Sequence, residues 1–81
     1  NREYKLYPNP FSTSIILEAS TKELVNLELS FLDEQGRVIQ FDVAKEKNRL
    51  EITPRQISTG LYILSLKNNK GEIQQFKVIR K

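Results

Sequence analysis

A chain of 81 residues with no Cys and no His has no disulfide to staple it and no thiolate or imidazole to hold a transition metal or serve as nucleophile or base. Its net charge of +3, from 13 cations and 10 anions, is too small to specify a nucleic-acid partner, and no apolar run approaches the roughly 20 residues of a membrane span. The length allows one domain, residues 1–81, that buries only about 60 to 65 percent of its unfolded surface and therefore depends on an efficient core. With no Met at its start, the sequence reads as a piece of a longer chain, residues 1–4 being the end of a linker from an upstream domain.

Lys5, Leu6 and Tyr7 read as a short edge strand running into Tyr7-Pro8-Asn9-Pro10-Phe11. Each proline pushes the residue before it toward extended geometry and neither can donate a ladder hydrogen bond. The segment is therefore expected to be a stiff corner, closed by the Asn9 side chain and anchored by Phe11. Residues 14–19 form the next strand, with Ile15, Leu17 and Ala19 inward. Ser20 and Glu23 have the spacing of a helix capping box. Residues 24–32 nevertheless alternate at period two, so the expectation is a strand with Val25, Leu27, Leu29 and Phe31 inward and Asn26, Glu28 and Ser30 outward.

Asp33-Glu34-Gln35-Gly36 is a hairpin turn, with Gly36 where such a connection requires positive φ. Residues 37–43 are then the return strand, with Ile39, Phe41 and Val43 inward in preference to Val38. Residues 44–48 read as a solvated loop, 49–52 as a strand with Leu50 and Ile52 inward, and 53–59 as a crossover with Ile57 packed beneath it. Gly60 opens the most regular strand in the chain: Tyr62, Leu64 and Leu66 on one face, Leu61, Ile63, Ser65 and Lys67 on the other. Tyr62 is placed either as a plain core aromatic or as a tyrosine corner whose hydroxyl returns to a loop carbonyl. Asn68-Asn69-Lys70-Gly71 repeats the first turn's chemistry, and residues 73–80 return with Phe76 and Val78 inward and Ile79 on the opposite face. Seven short strands, regularly spaced turns and no convincing helix predict an all-β fold, an immunoglobulin-like antiparallel β-sandwich.

Chemistry is sparse. Asp33, Glu34 and Asp42 are the acids that could gather around calcium, but adjacent acids in a turn are ordinarily solvated. No glycine-rich loop precedes a helix to cradle phosphate. No catalytic residue, cofactor or metal site is assigned. Lys67, Lys70, Lys77, Arg80 and Lys81 face only Glu72 across residues 67–81, a basic end suited to an acidic partner or to protecting an edge strand from aggregation. No row of exposed aromatics accompanies these cations, so a nucleic-acid stacking platform is not supported.

Leu6-Tyr7-Pro8-Asn9-Pro10-Phe11, then Asp33-Glu34-Gln35-Gly36-Arg37-Val38, Ile52 through Gly60-Leu61-Tyr62, and Gly71 followed by Phe76-Lys77-Val78-Ile79-Arg80-Lys81 together resemble the type A C-terminal sorting domain of the type IX secretion system. The resemblance spans nearly the whole chain, from Leu6 to Lys81, and lies in the order of four individually weak pieces. It implies an export address at the C-terminus of proteins carried across the outer membrane of Bacteroidetes-type bacteria. The implied partners are the type IX translocon and its outer-membrane shuttle, a surface sortase, and a cargo domain upstream in the same chain. The implied route runs through the periplasm to the outer membrane, cell surface or exterior. The sortase would cut upstream of the turn formed by Tyr7, Pro8, Asn9 and Pro10, near or before Asn1, and commonly transfer the cargo to an anionic lipopolysaccharide. Recognition would fall on the last two strands, through Gly60, Tyr62, Gly71, Lys77, Val78, Arg80 and Lys81, with Lys77, Arg80 and Lys81 as contacts and Gly36 as part of the structural motif. One departure is Ser58, where the family usually has Pro. The alternatives are an immunoglobulin-like or fibronectin-like binding module, for which Tyr4 and Tyr7 are few surface rings, and a structural spacer.

Overall fold

Alternating apolar residues leave each strand of this chain with one face to bury, and the molecule buries them by stacking two sheets. The computed structural model describes residues 4–81; the reading of residues 1–4 as linker falls, for Asn1, Arg2 and Glu3, outside the described residues. The elements are β1 (Lys5–Tyr7), β2 (Ile15–Glu18), α1 (Thr21–Leu24), β3 (Glu28–Asp33), β4 (Phe41–Glu46), β5 (Arg49–Pro54), β6 (Gly60–Lys67) and β7 (Ile73–Arg80). One sheet has the order β1-β2-β5-β4 and the other β3-β6-β7, with every strand pair antiparallel. The all-β sandwich expected from the turn spacing is what the chain forms.

Phe11, Ile15, Leu17, Phe31, Ile52, Leu64, Leu66 and Val78 are fully buried between the sheets. Phe31 sits at the centre, stacked on Tyr62 with ring centroids 5.4 Å apart and met edge-on by Phe11 at 6.4 Å. These offset and edge-to-face arrangements suit the ring quadrupoles and add to the burial of the rings themselves.

Three expectations are corrected. First, Ser20 does cap a helix. Its hydroxyl accepts the Glu23 amide at 3.2 Å, and a four-residue turn of helix follows. This turn drops Leu24 into the core, 4% exposed, and leaves Val25 49% exposed; Asn26, at φ 65°, then resets the chain so that β3 begins at Glu28. Leu27, Leu29 and Phe31 keep their inward face.

Second, residues 37–43 are not one return strand. Only Val38 bridges β3, opposite Leu32, while the amides of Asp33 and Ile39 bond the carbonyls of Arg37 and Phe31. The chain then leaves for the other sheet. Residue 55 donates its amide to the Gln40 carbonyl at 2.8 Å, and β4 pairs with β5. Val43 is consequently 43% exposed, since β4 is an edge strand, whereas Phe41 still reaches Phe31. Third, the loop expected at residues 44–48 is shorter. Ala44, Lys45 and Glu46 continue β4, and Lys47 and Asn48 alone turn the chain into β5, with Glu46 opposite Arg49.

Candidate functional site

The last strand, β7, is an edge strand of its sheet and is positioned from both sides. On one side, the β6–β7 hairpin fixes its register from Lys67 opposite Ile73 to Gly60 opposite Arg80. Asn68 builds that turn. Its side-chain oxygen accepts the amides of Lys70 and Glu72 at 3.0 and 2.9 Å, and Gly71 takes the positive φ of 84° that a residue with a Cβ resists. The β3 turn repeats the construction: Asp33 accepts the amides of Gln35 and Arg37 at 2.9 and 2.8 Å, with Gly36 at φ 82°.

At the other end of β6, Tyr62 forms the corner. Its hydroxyl donates to the Ser58 carbonyl at 2.7 Å while its ring lies against Phe31. The corner uses only the backbone oxygen, which a proline there would supply equally.

On the outer side of β7 lies the Tyr7-Pro8-Asn9-Pro10-Phe11 segment, with both X-Pro peptides cis. Strand residues turn their backbone groups alternately to the two sides, and the groups of Lys77, Ile79 and Lys81 that face away from β6 are the ones this segment meets. Asn9 was expected to close its own turn. Instead its carboxamide donates to the Lys77 carbonyl at 3.1 Å and accepts the Ile79 amide at 3.0 Å, so that one side chain stands in for a neighbouring strand. Phe11 continues the imitation. Its amide donates to the Ile79 carbonyl at 2.8 Å, and its carbonyl accepts the Lys81 amide at 3.0 Å, forming a parallel bridge opposite Arg80. The Arg80 guanidinium donates to the Ser12 carbonyl at 3.0 Å. The part played by Phe11 and Ser12 backbone atoms had no sequence signal, because any residue type supplies them.

The residues singled out from sequence therefore divide. Gly60, Tyr62, Val78 and Arg80 come together at one end of the hairpin through the pairs Gly60–Arg80 and Tyr62–Val78, next to Pro8, Asn9 and Pro10. Gly71 lies at the opposite end. Tyr62 and Val78 are buried, Arg80 is half-buried, and Lys77 and Lys81 are exposed.

The acids considered for calcium are otherwise engaged. Burial opposes ionisation of Asp33, but the Arg37 amide, the Arg37 guanidinium and the Gln35 amide outweigh it and hold the carboxyl below the usual range. Hydrogen bonding from Arg55 does the same to Asp42, against a smaller cost of burial, and the pairing raises Arg55 in turn. Among the described residues no three His, Cys, Asp or Glu side chains gather as a metal would require, and no buried side-chain nitrogen or oxygen lacks a partner. No helix among them is long and apolar enough to cross a membrane.

The family model of the secretion system C-terminal sorting domain matches residues 5–81, from β1 to the end of the chain. No curated relative matches closely enough to place the chain further. Sorting domains of this family are not enzymes. They act with the type IX secretion machinery on a cargo in the same chain, directing it through the outer membrane to the cell surface or the extracellular space. With the match covering every strand of the sandwich, the chain belongs to the family of type IX secretion system C-terminal sorting domains.

Proposed function

We propose that residues 1–81 work as one folded, non-catalytic and cofactor-free address, which the type IX translocon and its outer-membrane shuttle recognise after the parent protein has reached the periplasm. A surface sortase then cuts upstream of the Tyr7-Pro8-Asn9-Pro10 turn, near or before Asn1, and the cargo is attached to the surface or released. The observation that carries this reading is the treatment of β7. Asn9 and Phe11 hold its edge in a fixed register while Lys77 and Lys81 remain exposed, so the strand is presented rather than merely packed. Lys77 and Lys81 are the contact residues. Gly60, Tyr62, Gly71 and Val78 set the shape of the strand, and Arg80 both contributes charge and ties β7 to Ser12.

The test is an export assay, with the chain fused behind a periplasmic fluorescent reporter in a type IX-competent bacterium and in a translocon-null strain. Reporter outside the first and trapped in the second supports the address. Reporter held in the periplasm of both, with the domain folded, rejects it and favours a binding module. Lys77→Glu combined with Lys81→Glu is expected to stop export with an unchanged melting curve; Arg80→Glu is tested separately because it also breaks the Ser12 bond.

A further inference from the structure

The sheet β3-β6-β7 turns one face to the core and the other away from it, and the outward face is not uniform. Its lower half is what an antiparallel sheet ordinarily offers to water, with Ser30, Ser65 and Gln75 in one cross-strand row and Glu28, Lys67 and Ile73 in the next. The upper half is apolar. Val38 bridges Leu32, Leu32 pairs with Ile63, and Leu61 pairs with Ile79, which places five aliphatic side chains side by side on one surface. Val38 is 76% and Ile79 46% exposed, the three between them are half-buried, and among the described residues no further strand of either sheet covers this face. From the Val38 bridge across β3 and β6 to Lys77 on β7 the strip is about 14 Å wide at the usual strand spacing.

Its border decides what fits. Ile63 pairs with Lys77, so an exposed ammonium ends the central row. Lys81 follows Ile79 by two residues and continues the same alternation. Arg37, beside Val38, is bonded to Asp33, and Glu34 sits in the adjoining turn. A second copy stacked with its β7 over this one would bring Lys77 and Lys81 of the two chains toward each other. Carboxylates on a partner would instead neutralise them as the strip is desolvated.

We infer that the strip formed by Val38, Leu32, Ile63, Leu61 and Ile79, with Lys77 at its edge, is the surface by which this domain docks on a type IX component presenting an apolar patch rimmed by carboxylates. The inference rests on the proposed export function and adds to it the face that is read. Contact is made on the flat of the sheet, and the cations of β7 set the orientation. The buried centre of such an interface supplies affinity, and the charged rim supplies selection.

The test uses the same reporter fusion with three variants, each also melted in isolation. Val38→Glu with Ile79→Glu is expected to lower the exported fraction about tenfold or more, whereas Ile73→Glu, on the same face but in the polar half, leaves it unchanged. Val38→Thr with Ile79→Thr, a β-compatible pair, is expected to give an intermediate loss and carries the test if the double Glu variant fails to fold. Export of the wild type together with undiminished export of the Thr pair or of a folded Glu pair would overturn the docking surface and leave the address standing. Failure of the wild type to be exported would instead reject the function on which it rests. Concentration-dependent dimerisation of the isolated domain, abolished by the double Glu variant, would also overturn it by making a second copy the occupant.

Discussion

Asn9 and Ile79, 70 positions apart, meet as partners in a sheet would: the Ile79 amide donates to the Asn9 side-chain oxygen at 3.0 Å, while the Asn9 amide group reaches the Lys77 carbonyl at 3.1 Å. Asn9→Ala removes both bonds and should cost about 1 to 2 kcal/mol, the worth of two ordinary hydrogen bonds at a solvated edge. Hydrogen exchange should show protection lost first at the Ile79 amide. Asn9→Asp separates the two contacts, keeping the acceptor for Ile79 but setting a carboxylate against the Lys77 carbonyl, and above pH 5 it should be no more stable than the Ala variant. Unchanged exchange at Ile79 in Asn9→Ala would contradict the strand-like role.

Tyr62→Phe isolates the corner from the core, because the ring and its stack on Phe31 remain and only the bond to Ser58 is lost. The expected cost is about 1 kcal/mol. For a domain of this size that corresponds to a melting midpoint lower by about 4 to 8 °C, readable by circular dichroism. A midpoint within a degree of the parent would show that the hydroxyl is equally well served by water.

Leu64→Ala tests the centre of the sandwich. Leu64 is fully buried, lying opposite Phe31 and Phe76 in its two cross-strand pairs. Truncation should cost about 2 to 5 kcal/mol through lost burial and the cavity left behind. In a domain this small that approaches the whole folding free energy, so urea unfolding should show a large drop in midpoint or no transition at all.

Much of this architecture was legible because the relevant forces are local. The alternation of Ile15 with Leu17, of Leu50 with Ile52, and of Tyr62 with Leu64 and Leu66 marked the buried faces, and the Asp33-to-Gly36 and Asn68-to-Gly71 turns announced themselves by an oxygen-bearing first residue and a terminal glycine. What stayed hidden was non-local. Nothing in residues 37–43 says that β4 will prefer β5 to β3, since either strand offers the same backbone ladder. Ser20 and Glu23 gave a true helical signal, yet a four-residue helix is too short to disturb the period-two pattern around it, and Leu24 and Val25 were exchanged as a result. Asn9 has turn chemistry of its own, so its use against β7 could not be separated from the simpler local role. The outward strip of Val38, Leu32, Ile63, Leu61 and Ile79 emerges only once register sets four segments side by side.

Acid should destabilise the domain partly through Asp33 and Asp42. Both carboxyls lie below their ordinary value in the folded state, held there by Arg37 and Gln35 in the first case and Arg55 in the second. The stability they contribute is complete above the unfolded carboxylate value of about 4 and is lost as pH falls through the lower folded values. Denaturation midpoints measured from pH 6 to pH 2 should therefore decline on the acid side. Asp33→Asn should lower the midpoint at pH 6 and flatten that decline, more so than Asp42→Asn, because the charge it removes strengthens two backbone-amide bonds, which the Asn oxygen can still accept in weaker form, besides the guanidinium contact. Raising salt should weaken the Asp42–Arg55 contribution, which both partners make in solvent. An acid limb identical in all three proteins would assign it to other groups.

The parallel bridge between Phe11 and Arg80 makes a seam of the beginning and end of this domain. Contacts so far apart in sequence close late, after the local hairpins have formed. Phe11, wholly enclosed beneath that seam, cannot be sheltered by a chain that stops short of Val78 or has its last strand out of register. A machinery that reads β7 in its clamped form would thereby pass over truncated and unfinished molecules without any separate inspection step. For such a machinery, completion of the fold and legibility of the address would be the same event.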